Sequence, residues 1–420
     1  MRPFSLMLVL LFFATSGLYA ANCGETVPCQ CGDTVVRNYV LPADLGPCKG
    51  HGLRIASGVV LDGNGYRLMG SLSTSESYGI YLDGTIAATV KNVRISGFRR
   101  GIRLRRARNN QIRNNEAFRN GDFVRRVGYG IDVASGARSN LFEGNLIYNN
   151  ADEGVHLGSG SAANTFMANT IYNNTRENIY LFTSHHNTLL YNTTWGGQNS
   201  LFIKDSSFTL IKGNTFSDSP VVIRADSHDN ELIDNDIIGA GLHFQVYTKE
   251  FPFRFPRANM VRDGKITNTG SCLRFDSSWD NVILRTVFSS CGTDITSVSD
   301  RAQSRNAIVS ASFKPNNVRL DAGSVIEVGW FVEVTVQDTT GQPLSGARVR
   351  VFDAAHTSLF DVLTDSNGKI GDRIVLEYVR TGSRLTSQTP IVVETTKSGY
   401  TPDRRQMFLS GDTAVTITLR

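Results

Sequence analysis

Four near-copies of one short unit carry polar residues at positions that stack. The units Gly130-Ile131-Asp132-Val133, Gly154-Val155-His156-Leu157, Asn178-Ile179-Tyr180-Leu181 and Ser200-Leu201-Phe202-Ile203 begin 22 to 24 residues apart. In an alternating strand the residue after the leading apolar one faces outward, and so does the residue two further on. Aligning the units with their flanking copies gives one outward column of Tyr81, Arg103, Asp132, His156, Tyr180, Phe202, Val222, His243 and Arg274. A second column holds Asp83, Arg105, Lys204, Arg224, Gln245 and Asp276. Asp152, Glu153 and Glu177 stand just before their strands. At about 4.8 Å between stacked strands, Glu153 meets Glu177, His156 meets Tyr180 and Lys204 meets Arg224.

These residue types together suit removal of the C5 proton from a uronic acid unit. The step needs the sugar carboxylate neutralised by Arg, Lys or a bound cation, and a base such as His, Lys or a Tyr phenolate. Loss of the C4 oxygen then gives β-elimination, and reprotonation from the other side gives epimerisation. His156, Tyr180, Lys204 and Arg224 are the catalytic candidates; Arg103, Arg105, Asp132, Glu153, Glu177, His243 and Arg274 are the substrate-binding ones. Glu153 and Glu177 also have the composition of a hydrolase acid/base pair. No metal ligand set or cofactor is expected, with Ca²⁺ at these two glutamates as the alternative; the chain has no Gly-Gly-x-Gly-x-Asp repeat. The competing reading is a solvated surface, with Lys204 and Arg224 paired to Asp205 and Asp226. His185, His186 and His228 fall in turns and read as surface residues.

The elements that would hold these columns are short strands. Period-2 runs separated by Gly, Asn, Ser and Thr, repeating every 20 to 29 residues, mark a stacked repeat whose single unit cannot bury its own apolar face. Two or three strands per turn make a parallel β-helix, right-handed by the bias of parallel crossovers. Asn140, Asn164 and Asn187 recur at one place, and Asn145, Asn169, Asn192 and Asn214 five residues on, with Thr209 replacing one Asn. Stacked at a bend, each amide can donate to one neighbour and accept from the other, so the ladder is structural. Rungs continue at Ile80, Ile102, Val221, Leu242 and Leu273. Insertions at 120–127 and 248–257 are expected to flank the surface. Ten arginines between Arg99 and Arg126, on a chain of net charge +5, would attract an acidic polymer.

Residues 1–20 read as a cleaved signal peptide, with basic Arg2, an apolar run from Leu6 to Phe13 and small residues at Ala20-Ala21. No later stretch is apolar enough to span a bilayer. All six cysteines follow, an even number suited to disulfides in an oxidising compartment. Cys272 and Cys291 are close to one coil apart and are expected to bridge; the pairing of Cys23, Cys29, Cys31 and Cys48 stays open. Residues 21–56 would cap the solenoid, residues 57–325 form it, and residues 326–420 make a small antiparallel sandwich from runs such as Val332-Glu-Val-Thr-Val336 and Ala347-Arg-Val-Arg-Val351. The expected class is all-β: a right-handed parallel β-helix followed by an antiparallel β-sandwich.

The opening text, Cys31-Gly-Asp-Thr-Val and Leu53 to Leu68, resembles the start of secreted bacterial right-handed β-helix proteins. The body from Val59 to Ile308 resembles NosD-type, or carbohydrate-binding and sugar-hydrolysis, repeats. Residues 340–349, with Thr364-Asp-Ser-Asn-Gly and Lys397-Ser-Gly-Tyr, resemble carboxypeptidase-regulatory-like, immunoglobulin-like modules. Lys204 and Arg224 look similar to the Lys and Arg on adjacent coils of some β-helix polysaccharide lyases. The Asp-Pro-His motif of alginate-epimerase-like relatives is absent, with Ser227-His228-Asp229 the nearest text. Taken with the signal peptide and the polar columns, the expectation is a secreted or periplasmic, monomeric protein acting on an acidic polysaccharide as a lyase or C5 epimerase. The alternatives are a non-catalytic carbohydrate binder and a structural protein of the cell envelope; nucleic acid is not an expected partner.

Overall fold

The structure is a computed structural model describing residues 21–72, 76–158, 160–249 and 251–420. The expected signal peptide lies outside the described residues. The chain is all-β, a right-handed parallel β-helix followed by antiparallel sheets. A 3-10 turn, Pro315–Asn317, is the only helical element among the described residues.

A complete coil is three strands joined by bends. One of them runs Glu177–Phe182, Thr188–Leu190 and Thr193–Trp195. Successive coils pair in parallel, so the first strands build one sheet of 14, the second strands a sheet of 16 that continues into the C-terminal region, and the third strands a sheet of 11 among the described residues. Here they are called the first, second and third sheets. The short strands follow an intermediate–buried–intermediate pattern: one inward apolar side chain per strand is all a coil this narrow can hold. Phe142 and Phe166 stack inside with ring centroids 4.2 Å apart.

Bends between strands are set by left-handed residues, and most ladder residues directly follow one. Ala163, His186 and Phe208 have φ of 53°, 56° and 57° and precede Asn164, Asn187 and Thr209. For residues bearing a Cβ this costs on the order of 1 kcal/mol each. The ladder offsets it. Asn164 Oδ1 accepts from the Asn140 backbone N–H at 3.1 Å and from Asn140 Nδ2 at 3.0 Å, while its Nδ2 donates to Ala137 O at 3.0 Å. Asn115, Asn145, Asn169, Asn192, Asn214 and Asn235 repeat the pattern at the next bend. A third ladder, Asn120, Asn150, Asn174 and Asn178, stands at the remaining bend.

Disulfides Cys23–Cys29 and Cys31–Cys48 knit the entry segment, and Cys272–Cys291 joins neighbouring coils. At the far end, the 14-residue strand Ser324–Gln337 pairs in parallel with the last coil strand, Ser304–Val309, over its first half. Its second half pairs with Thr413–Thr418. Arg373–Thr381 runs antiparallel beside it. A four-stranded antiparallel sheet containing Arg348–Phe352 and Ile391–Thr396 faces these strands across a core that includes Val334, Val336, Val349, Val351 and Val393. The boundary expected at residue 326 falls inside the shared strand.

Candidate functional site

The first sheet presents the polar columns in register. Arg103 pairs with Tyr81 and with Asp132, Asp132 with His156, His156 with Tyr180, Tyr180 with Phe202, and His243 with Arg274. The second column also aligns: Arg105 beside Asp83, Phe182 beside Lys204, Lys204 beside Arg224. A third column, three residues earlier in each strand, runs through Tyr78, Arg100 and Tyr129; Glu153 and Glu177 stand at the same offset before His156 and Tyr180.

His156 is the centre of the best-formed cluster. Its ring stacks on Tyr129, centroids 4.7 Å apart, and meets the Tyr180 ring edge-on at 5.5 Å. Its Nδ1 lies 3.9 Å from Glu153 Oε2, and neither atom has a hydrogen-bond partner although both are buried. Its Nε2 lies over Gly158, where a Cβ would approach to 2.5 Å. Burial holds the imidazole below its usual range, with Arg100, Arg103 and Arg176 pushing the same way against Asp132. The ring is therefore neutral at neutral pH, and the 3.9 Å pair is no ion pair. Burial raises the phenols of Tyr129 and Tyr180, so Tyr180 keeps its hydroxyl proton near neutral pH and the phenolate form considered for it is not favoured.

Three carboxylates surround one guanidinium beneath this ring. Arg176 Nη1 lies 3.3 Å from Asp152 Oδ1 and 3.5 Å from Glu153 Oε1, and its Nε 3.6 Å from Glu177 Oε2. Asn199 Nδ2 donates to Glu177 Oε1 at 3.2 Å. Burial, reinforced by Asp152 and Glu177, raises Glu153 to about 8; burial also raises Asp152. Residue exposure corrects the sequence reading of these groups. Asp132, Glu153 and Glu177 are only 2%, 2% and 4% exposed, so they hold neighbours in place instead of touching a polymer. Asp132 Oδ2 sits 2.8 Å from Arg100 Nε and 3.6 Å from Arg103 Nε.

Lys204 and Arg224 belong to a different cluster. Lys204 Nζ is 4.9 Å from the Phe182 ring centroid and 4.5 Å from that of Tyr247, over which Arg224 and Arg254 also lie at 5.5 and 4.8 Å. The expected partners are taken by the insertion: Asp205 by Arg254 at 2.7 Å and Asp226 by Arg257 at 3.1 Å. His243 and Arg274 stand further on, beyond apolar Phe202 and Val222, and Arg274 Nε engages Asp276 at 2.9 Å. The arginine patch is partly neutralised, Arg106 by Asp83 and Arg113 by Glu143. Sequence reasoning missed Tyr129, Arg176 and Tyr247. The first two share the offset of Glu153 or adjoin Glu177, a signal that was present.

Fold and face together define a right-handed parallel β-helix protein with one polar sheet surface. A family model described as periplasmic copper-binding protein (NosD) matches residues 57–251. No curated protein matches the chain. Among solved structures, the A-module of mannuronan C-5 epimerase AlgE4 from Azotobacter vinelandii superposes with a TM-score of 0.50 at 15% identity, over 66% of this chain and 86% of that one. An alginate lyase from Paenibacillus sp. str. FPU-7 gives a TM-score of 0.32 at 14% identity, covering 70% and 93%. The tailspike protein of E. coli bacteriophage HK620, in complex with pentasaccharide, gives 0.36 at 11%, covering 86% and 82%. At these identities the likeness is one of fold. The donor set does not fit a copper centre: all six cysteines are in disulfides, and among the described residues no three His, Cys, Asp or Glu side chains converge as metal ligands.

Proposed function

We propose that this chain is an extracytoplasmic, carbohydrate-active β-helix protein that abstracts the C5 proton of a uronate unit in an acidic polysaccharide. The supporting observation is the cradle of His156. A neutral imidazole is fixed between two tyrosine rings, has a carboxyl group facing Nδ1, and has its other nitrogen over a glycine. That is the arrangement of an oriented general base. In this reading Nε2 takes the C5 proton and Tyr180 supplies a proton to the departing C4 oxygen. Arg103 and Arg105 neutralise sugar carboxylates on one side, and Lys204 and Arg224 on the other. Three disulfides fit an oxidising compartment.

The test is incubation of the purified protein with alginate, pectate and glycosaminoglycans, following absorbance of the unsaturated product and proton NMR for inverted C5 centres. Elimination or epimerisation of one polymer is expected, and His156→Ala should lower kcat at least 100-fold. Unchanged turnover in that variant would mean the chemistry lies elsewhere. The cationic cluster on Tyr247 also supports a second reading, a binder that recognises the polymer without altering it; measurable affinity with no product for any glycan would establish that instead.

A further inference from the structure

A cavity of about 800 Å³ lies not beside His156 but at the N-terminal cap, where it is lined by Lys49, His51, Arg54, Cys31 and Asp33. Its volume is in the range of ligand pockets. Arg54 also lines a second cavity of about 290 Å³ together with Tyr81 and Asp83. Both columns of the candidate site run into this region. Arg54 is the register partner of Tyr81, and His51 stacks on Tyr78 with centroids 4.7 Å apart. Tyr78 in turn carries the Arg103 guanidinium 4.9 Å from its ring centroid.

Arg54 is exposed, its guanidinium 5.6 Å from the Tyr81 ring centroid, and no carboxylate of the described residues forms an ion pair with it. Asp33, the acid lining the large cavity, already accepts from the backbone N–H groups of Ala21 and Gln30. Asp83 accepts from Arg106 and Tyr81. Beyond Arg54 the first sheet has, among the described residues, only the two-residue strands Thr34–Val35 and Asn22–Cys23.

We propose that the cap cavity is an end subsite, in which Arg54 pairs with the carboxylate of a terminal anionic sugar while His156 acts further along the same chain. This rests on the function proposed above. The register path from Arg54 through Tyr81, Arg103 and Asp132 to His156 has four steps, roughly 19 Å at the strand spacing. A pyranose unit is about as long as one such step, so about four sugars fill the interval. His51, Arg54 and Arg103 would line that path, with the buried rings of Tyr78 and Tyr81 packed behind them.

The experiment measures binding of size-defined uronate oligomers, two to eight units of mannuronate and of galacturonate, to the full chain and to Arg54→Ala by calorimetry. Arg54 is exposed, so its truncation leaves the core intact. Affinity should step up on the order of tenfold once the oligomer is long enough to reach the cap, near four to six units, and the step should vanish in the variant. A smooth rise with length, or a step that survives in Arg54→Ala, overturns the end subsite and leaves the function proposed for His156 standing. No binding at any length overturns both.

Discussion

A carboxyl group raised to about 8 beside a depressed imidazole gives His156 a defined pH response. Below about 8 Glu153 carries a proton and does not demand the Nδ1–H tautomer. Above it the ionised carboxylate, 3.9 Å from Nδ1, favours the proton on that nitrogen and leaves Nε2 free to act as base. Turnover should therefore climb through about pH 8, and Glu153→Gln should flatten that limb while binding changes little; a limb that persists in the variant would remove Glu153 from the mechanism. The same group sets a stability slope. Its folded pKa is above its unfolded one, so the native state holds the extra proton and stability falls as pH rises from about 4.5 to 8. Glu153→Gln should accordingly raise Tm by about 2 °C or more at pH 9, with the gain shrinking toward pH 5. The sequence carried the alignment of His156 with Tyr180, because a period of two and a fixed coil length suffice for it. It did not carry depth: Glu153, three positions before His156, is buried, and alternation alone does not give that burial.

Among the elements, the asparagine ladders decide whether coils can close. Every group of Asn164 is satisfied by another coil, in a bend that also contains Ala163 at φ 53°. Asn164→Ala would strip a partner from the buried Asn140 backbone and side chain and from Ala137 O, at a cost of about 3 kcal/mol. Urea denaturation should show that loss, and a loss below about 1 kcal/mol would mean that water replaces the amide. Two ladders were legible because Asn140, Asn164 and Asn187 stand one coil apart, each with a second Asn five residues on. The third was hidden for an instructive reason. Asn150 and Asn174 continue the same five-residue step, but the column then passes to Asn178, four residues after Asn174 and inside the strand Glu177–Phe182, so spacing fails where geometry persists. The insertion at 248–257 was legible as a loop. Its action was not, since the ring that gathers Lys204, Arg224 and Arg254 is Tyr247, just outside it.

At the scale of the molecule, solenoid and C-terminal module share a strand. Along Ser324–Gln337, Val325 pairs with Arg305 of the last coil while Val334 pairs with Val415 of the sandwich. Trp330 packs against both cores, and its Nε1 donates to Glu377 Oε2 at 2.6 Å. Tyr378, from the antiparallel neighbour, is part of the solenoid core. Composition and turn spacing reveal a change of grammar after residue 308 but not this sharing, because one continuous alternating strand looks the same whether it serves one core or two. A tether would let the halves unfold independently; a common strand exposes an unpaired edge of the last coil whenever the sandwich opens. Two proteins with one tryptophan each, Trp195 in the coils (W279F/W330F) and Trp330 at the junction (W195F/W279F), should therefore give coincident urea transitions. If Trp330 reports unfolding at lower urea while Trp195 stays native, the strand is a hinge and the module is separable.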